Sequence, residues 1–155
     1  MPLYLEDLTP GLVVTGGPVT VTQEDVIAFA RQFDPQPFHI DPEAAESTFF
    51  HGLAASGWHT AALSMRMAVD SPLNALAYGL IGIEIRRLRW PVPTRPGDTL
   101  RLTLEVLETR PSRSRPGWGT ALLRWTTINQ RGEPAMEAEN VAWVACRPLP
   151  SGSLA

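Results

Sequence analysis

The chain has one cysteine, Cys146, among 155 residues, so no disulfide can form within it. A lone thiol suits a reducing compartment, and Cys146 sits in an apolar, strand-like run where a buried, unreactive thiol is expected. No uncharged apolar run reaches the ~18 residues that a membrane-spanning helix needs. The opening MPLYLEDLTP lacks a basic start followed by an apolar stretch, so no secretory leader is expected. Positive charge is in deficit as well. Lys and Arg number 13 against 16 Asp and Glu, a net charge of −3, which gives no overall pull toward nucleic acid or an anionic membrane surface. There is no internal repeat, no low-complexity segment and no Gly-rich loop of the phosphate-cradling kind. These absences together predict a cytoplasmic protein without nucleic-acid or membrane partners.

What is present is an ordinary globular balance, 44% hydrophobic and 19% charged, at a length that fits one domain with a real core. We expect that domain over residues 1–147 and a flexible C-terminal tail over 148–155. The 15 prolines fall between the regular segments and punctuate loops. A short strand is expected around Leu12–Thr15. Thr22-Gln-Glu-Asp25 has the form of a helix-start box, and Val26, Ile27, Ala30 and Phe33 recur at helical spacing. That helix should stop near Phe33, because Asp34-Pro35-Gln36-Pro37 twice forces the chain out of helical geometry. Asp41 can cap a second, short helix, with Pro42 at its first position and Glu43 at the positive end of its dipole. A loop rich in Gly and aromatics, Phe49–Ser56, leads to a longer helix over about Gly57–Val69, expected to be buried on most sides because Arg66 is its only charge.

The periodicity then changes to two. Leu80–Trp90, Thr99–Glu108, Gly119–Asn129 and Ala135–Cys146 read as strands, separated by Pro96-Gly97-Asp98, the loop Arg110–Trp118 and Asn129–Gly132. Helices first and strands afterwards predict an α+β fold with an antiparallel sheet covering the apolar helix.

The chemistry-bearing stretch is Asp34-Pro-Gln36-Pro-Phe-His39-Ile-Asp41-Pro. Asp34 and His39, separated by two prolines, cannot share one continuous helix, and the stiff loop holds both side chains with little freedom, as acid–base work requires. The residues alone also admit a plainer reading, in which Asp34 caps a turn, His39 packs in a core and Asp41 caps a helix. Asp34-x-Gln36-Pro37-x-His39-x-Asp41-Pro42, followed by Ala44 and Ala45, resembles the signature of the MaoC-like dehydratases and R-specific enoyl-CoA hydratases. The likeness continues through Ala55-Ser56-Gly57-Trp58-His59-Thr60 and through Arg89-Trp90-Pro91-Val92 with Arg95-Pro96-Gly97-Asp98-Thr99.

The resemblance implies a hot-dog fold, an antiparallel β-sheet wrapped around a long central α-helix, and usually a homodimer or higher homo-oligomer. It implies an acyl-CoA thioester substrate, hydrated or dehydrated without a metal or redox cofactor. Asp34 and His39 match the catalytic pair, and Gly57 matches the residue whose N–H supports the thioester oxygen at the helix start. Ser56, Trp58 and Gln36 fall among the substrate-binding positions. Gln36 departs from the usual Asn and lengthens the reach of the amide by one methylene. Trp58 is bulky enough to shorten an acyl pocket and equally suited to a core. Arg110, Arg113 and Arg115 suit coenzyme A phosphates as well as a solvated hairpin, and Arg86, Arg87 and Arg89 pose the same choice. His51 and His59 match no metal-ligand spacing with His39 and Asp41. Two rival activities stand beside hydration, a hot-dog thioesterase and a non-catalytic acyl-binding subunit. The first is disfavoured because Gly57–Val69 contains no carboxylate.

Overall fold

The computed structural model describes residues 1–149. Of the expected tail, 150–155 lie outside the described residues, and Pro148 and Leu149 have no regular structure.

Five strands form one antiparallel sheet in the order β1-β3-β4-β5-β2. They are β1 (Val13–Thr20), β2 (Ile81–Arg89), β3 (Thr99–Pro111), β4 (Trp118–Ile128) and β5 (Pro134–Ala145). Strand β3 places Leu100, Leu102, Leu104 and Val106 on the inner face, each at most 3% exposed, and the partner strands add Ala121, Leu123, Trp125, Ala138 and Val144. Burying each such leucine contributes about 1.5–3 kcal/mol. The outer face carries cross-strand ion pairs, Arg124 with Glu105 and Arg89 with Glu137.

The central helix α4 runs Gly57–Val69, as its Ala, Leu and Met content predicts, and packs on β1, β3 and β5. Strand β1 extends past the expected end at Thr15 by way of a bulge between Gly16 and Val19. Gly16 is required there, because a β-carbon would run into the Met67 carbonyl of α4. Strands β2, β4 and β5 lie within a residue of their expected limits. Strand β3 continues to Pro111, and this shortens the loop before β4. This sheet-on-helix layout is the hot-dog fold.

Two burial expectations need correction. Helix α4 is covered on one face only: Trp58, Met65 and Val69 are exposed. Helix α1 (Gln23–Phe33) buries Val26 and Ala30, but Phe33 turns outward against Phe29.

Candidate active site

Helix α1 starts where Thr22 Oγ1 accepts the Asp25 amide. It ends with the Asp34 amide still bonded to the Ala30 carbonyl, and Pro35 then blocks continuation. Gln36 caps the single turn α2 (Pro37–Ile40), a piece of helix that the proline pattern concealed because Pro37 opens it rather than breaking it. Asp41 then accepts the Glu43 and Ala44 amides and starts α3 (Pro42–Ala45), as expected of a cap. The two prolines thus turn the chain through a tight corner and bring His39 back beneath Asp34.

His39 is 5% exposed. Its Nδ1 lies 2.6 Å from the Ala54 carbonyl oxygen. A carbonyl only accepts, so Nδ1 bears the hydrogen and the Nε2 edge is left for chemistry. Nε2 is 3.3 Å from Asp34 Oδ2, and the other Asp34 oxygen, Oδ1, accepts the Gln36 side-chain amide at 2.6 Å. The longer Gln side chain therefore supports the carboxylate directly. Burial pushes the Asp34 carboxyl up, but hydrogen bonds from Gln36 and Ser56, joined by attraction to His39 whenever that ring carries both protons, outweigh it. The group ends below its ordinary value of 3.8 and is ionised at neutral pH.

Ser56, fully buried, caps α4 by accepting the Trp58 amide. Gly57 follows at the first helical position, and among the described residues its N–H donates to no protein acceptor, as expected of an early amide in a helix. The ring of Trp90 occupies the space where a side chain would stand: a β-carbon on Gly57 would lie 2.6 Å from two indole carbons.

A cavity of about 430 Å³ reaches His39 and Gly57 and is lined also by Phe50, Trp90, Thr60 and Thr94 among others, while Asp34, Gln36 and Ser56 stand behind its lining. Its walls are apolar except for His39 and the Thr60–Thr94 hydroxyl pair, 2.9 Å apart. A larger cleft of about 550 Å³ lies on the outer sheet face among Arg87, Arg89, Arg124, Glu137 and Glu139. It is a charged surface remote from the imidazole, and the smaller cavity is the chemically relevant one.

Asp34, Gln36, His39, Ser56 and Gly57 therefore converge. Trp58 does not: it is 60% exposed, packs edge-on against Trp90 and lines no part of the cavity. It shares the exposed face of α4 with Met65 and Val69, and Trp90 is the bulky wall instead. The arginine loop is also misplaced for phosphates at this cavity. Cavity residue Ala135 stands at the start of β5, and the loop abuts its end at Ala145. At strand rise that separation is on the order of 35 Å. Arg110 pairs with Glu108, and Arg115 lies over the Trp143 ring. Arg86, Arg87 and Arg89 face glutamates.

His51 is exposed, and His59 is buried against Phe29, the rings stacked at 4.7 Å. Among the described residues no three His, Cys, Asp or Glu groups gather at metal-binding distance. Cys146 is half-buried, its thiol pushed up by burial and by the nearby Glu6. Sequence reasoning missed Ala54, whose contribution is a carbonyl, and Phe50, Thr60 and Thr94, which carry no local signal for a cavity wall.

The family model described as "MaoC like domain" matches residues 9–123. The chain belongs to the MaoC-like family. A solved MaoC-like dehydratase from Rhodospirillum rubrum is 48% identical, with a TM-score of 0.89 over 95% of this chain and 99% of that one. The Bacillus subtilis protein YdeM is 33% identical over 140 residues, 88% of this chain and 95% of its own. The (R)-specific enoyl-CoA hydratase of R. rubrum is 26% identical over 150 residues, 93% of each chain. MaoC-like membership agrees with the hot-dog fold and with the convergence of Asp34, His39 and Gly57. No helix among the described residues is long and apolar enough to cross a membrane.

Proposed function

We propose that this MaoC-like protein is a hydro-lyase, adding water to a 2-enoyl thioester or removing it from a 3-hydroxyacyl thioester carried on coenzyme A. The observation that carries the reading is the His39–Asp34 pair, 3.3 Å apart, beside a cavity walled by the unpaired Gly57 amide. In the hydration direction, the neutral His39 Nε2 and the Asp34 carboxylate are both acceptors and hold a water by its hydrogens. The water oxygen bonds to the substrate β-carbon as its proton passes to the pair. The double-bond electrons move to the thioester oxygen, where Gly57 N–H meets the developing charge. The pair then returns a proton to the α-carbon, and dehydration reverses each step. Asp34, held below the usual carboxylate range, is a weak base. His39 Nε2, with Nδ1 committed to the Ala54 carbonyl, presents a free lone pair, so we assign the proton from water to His39 and the orienting role to Asp34. No metal or redox group enters these steps.

Apolar walls suit an acyl chain. The bulk of Trp90 over the helix start and of Phe50 in the same lining favours a short one. The exposed face of β2, with Ile81, Ile83 and Ile85 each 45–55% exposed at an unpaired sheet edge, supports a homodimer. The lone, half-buried thiol supports a reducing compartment such as the cytoplasm.

Asp34→Ala and His39→Ala, each folded by circular dichroism, are expected to abolish hydration of short enoyl-CoAs, followed by loss of the conjugated-thioester absorbance. Full activity in both variants would refute the assignment. Release of free thiol from acyl-CoA would point instead to a thioesterase, although α4 offers no carboxylate for it. Tight acyl-CoA binding with no turnover would point to a binding subunit.

A further inference from the structure

We infer that Arg95 is a positioning residue for His39, an inference that rests on the acid–base role proposed for that imidazole. Arg95 lies in the loop between β2 and β3, the same loop that supplies Trp90 and Thr94 to the cavity. Its backbone is fixed: its amide donates to Asp98 Oδ2 at 2.8 Å, and Asp98, itself 3% exposed, also accepts Gln130 through Oδ1. From that anchor the guanidinium crosses to the segment before α4. Nη2 donates to the Phe50 carbonyl at 2.6 Å, and Nη1 to the Gly52 and Leu53 carbonyls at 3.0 and 3.2 Å. Among the described residues no other donor reaches these three oxygens.

Three carbonyls converging on one point repel each other unless a cation with a fork of donors sits between them, and a guanidinium is that shape. The segment also holds strain, since His51 has φ +51 and Gly52 φ +145, and a non-glycine residue in that region persists only where its surroundings over-determine it. Immediately after Leu53 comes Ala54, whose carbonyl takes the His39 Nδ1 hydrogen. The Ala54 amide is tied to Phe38, and Ala55 to Thr94 of the Arg95 loop. The connection therefore runs from guanidinium to the 50–53 carbonyls, to the Ala54 carbonyl, to the imidazole. Arg95 sets which ring nitrogen carries the proton and where Nε2 points. It also packs over the Phe50 ring, 6.0 Å from its centroid, and so holds one wall of the cavity.

The test uses the full chain and its Arg95→Ala and Arg95→Lys variants, with two readouts. One is the tautomer of His39, read from imidazole nitrogen shifts; the other is steady-state hydration of a short enoyl-CoA. The wild type is expected to hold the Nδ1–H tautomer. Arg95→Ala is expected to lose that uniformity and to drop kcat roughly ten- to hundredfold, more than it changes KM. Millimolar guanidinium should restore both, and methylammonium should restore neither. Arg95→Lys, which keeps the charge but not the fork, should fall between. A folded Arg95→Ala with unchanged tautomer and kcat overturns the inference. If Arg95→Ala does not fold, an Arg95→Lys protein with wild-type tautomer and rate overturns it equally. A tautomer that responds to Arg95 in a wild-type protein without turnover sustains the positioning and removes the hydro-lyase reading instead.

Discussion

A methyl group at Gly57 offers a sharp test of how the start of α4 is built. A β-carbon there meets the Trp90 indole at 2.6 Å, well inside contact distance, so one of the two must shift. Overpacking of this kind costs about 1–3 kcal/mol. Trp90 is 37% exposed and can yield toward solvent, which places the clash near the lower half of that range. Against it stands the gain from stiffening the unfolded chain, about 0.4–1 kcal/mol for Gly→Ala where the backbone tolerates it, as the helical backbone of Gly57 does. Gly57→Ala alone should therefore destabilise by roughly 0.5–1 kcal/mol as the difference of these terms. In a Trp90→Ala background the obstruction is gone, and the same substitution should stabilise by about 0.4–1 kcal/mol. The sign reverses between the two backgrounds, with a coupling of about 1–2 kcal/mol. Urea denaturation of the four proteins, with midpoints and slopes compared, measures it. Equal effects of Gly57→Ala in both backgrounds, within about 0.5 kcal/mol, would show that the indole does not set the glycine requirement.

Other expectations follow from single contacts. Burial lowers the His59 pKa below its ordinary 6.5 despite the Asp25 carboxylate. The unfolded chain therefore takes up the proton first, and stability present above pH 6.5 is lost as pH falls toward the folded value. His59→Phe, which can keep the stack on Phe29, should remove that loss, and parallel stability–pH curves for the two proteins would contradict it. Gln36→Leu deletes a donor that keeps Asp34 ionised, so the carboxyl should titrate at a higher pH, followed by carbon-detected NMR; an unmoved midpoint would exclude Gln36 as a cause. The stability that wild-type Asp34 gains is present above pH 3.8 and lost as pH falls through its depressed value, so the variant should be less acid-resistant. Ile83→Arg places a charge on the exposed β2 face and, on the proposed dimer contact, should lower the mass read by light scattering from that of two chains to that of one; a wild type that is itself monomeric would refute the contact. A dimeric variant would move the interface elsewhere.

The parts of this molecule legible in its sequence are those whose cause is local. Helix α4 announces itself by composition, and the strands by alternation against a single buried face. The Asp34–His39 corner is readable because two prolines leave the chain few paths between them. What escaped depends on partners distant in sequence. Strand β1 runs on through Gly16-Gly17-Pro18, which locally reads as a stop, because α4 approaches so closely that only a glycine fits. Trp58 faces outward and Trp90 lines the cavity, because helix rotation, unspecified by composition, decides which aromatic faces it. The arginine loop looked suited to phosphate until strand length placed it at the other end of β5. Arg95 stood out only as part of the Arg95–Thr99 stretch that carries the resemblance, and its bonding was unreadable because its acceptors are 42 to 45 residues away.

The tether from Ala54 to the imidazole bears on the proposed reaction in one further way. With one nitrogen committed to the backbone, the ring can neither flip nor relay a proton from one side to the other. In the proposed reaction a proton lifted from water would have a single berth, at Nε2, and would leave by the side on which it arrived. Hydration and dehydration would then share one seat for the proton.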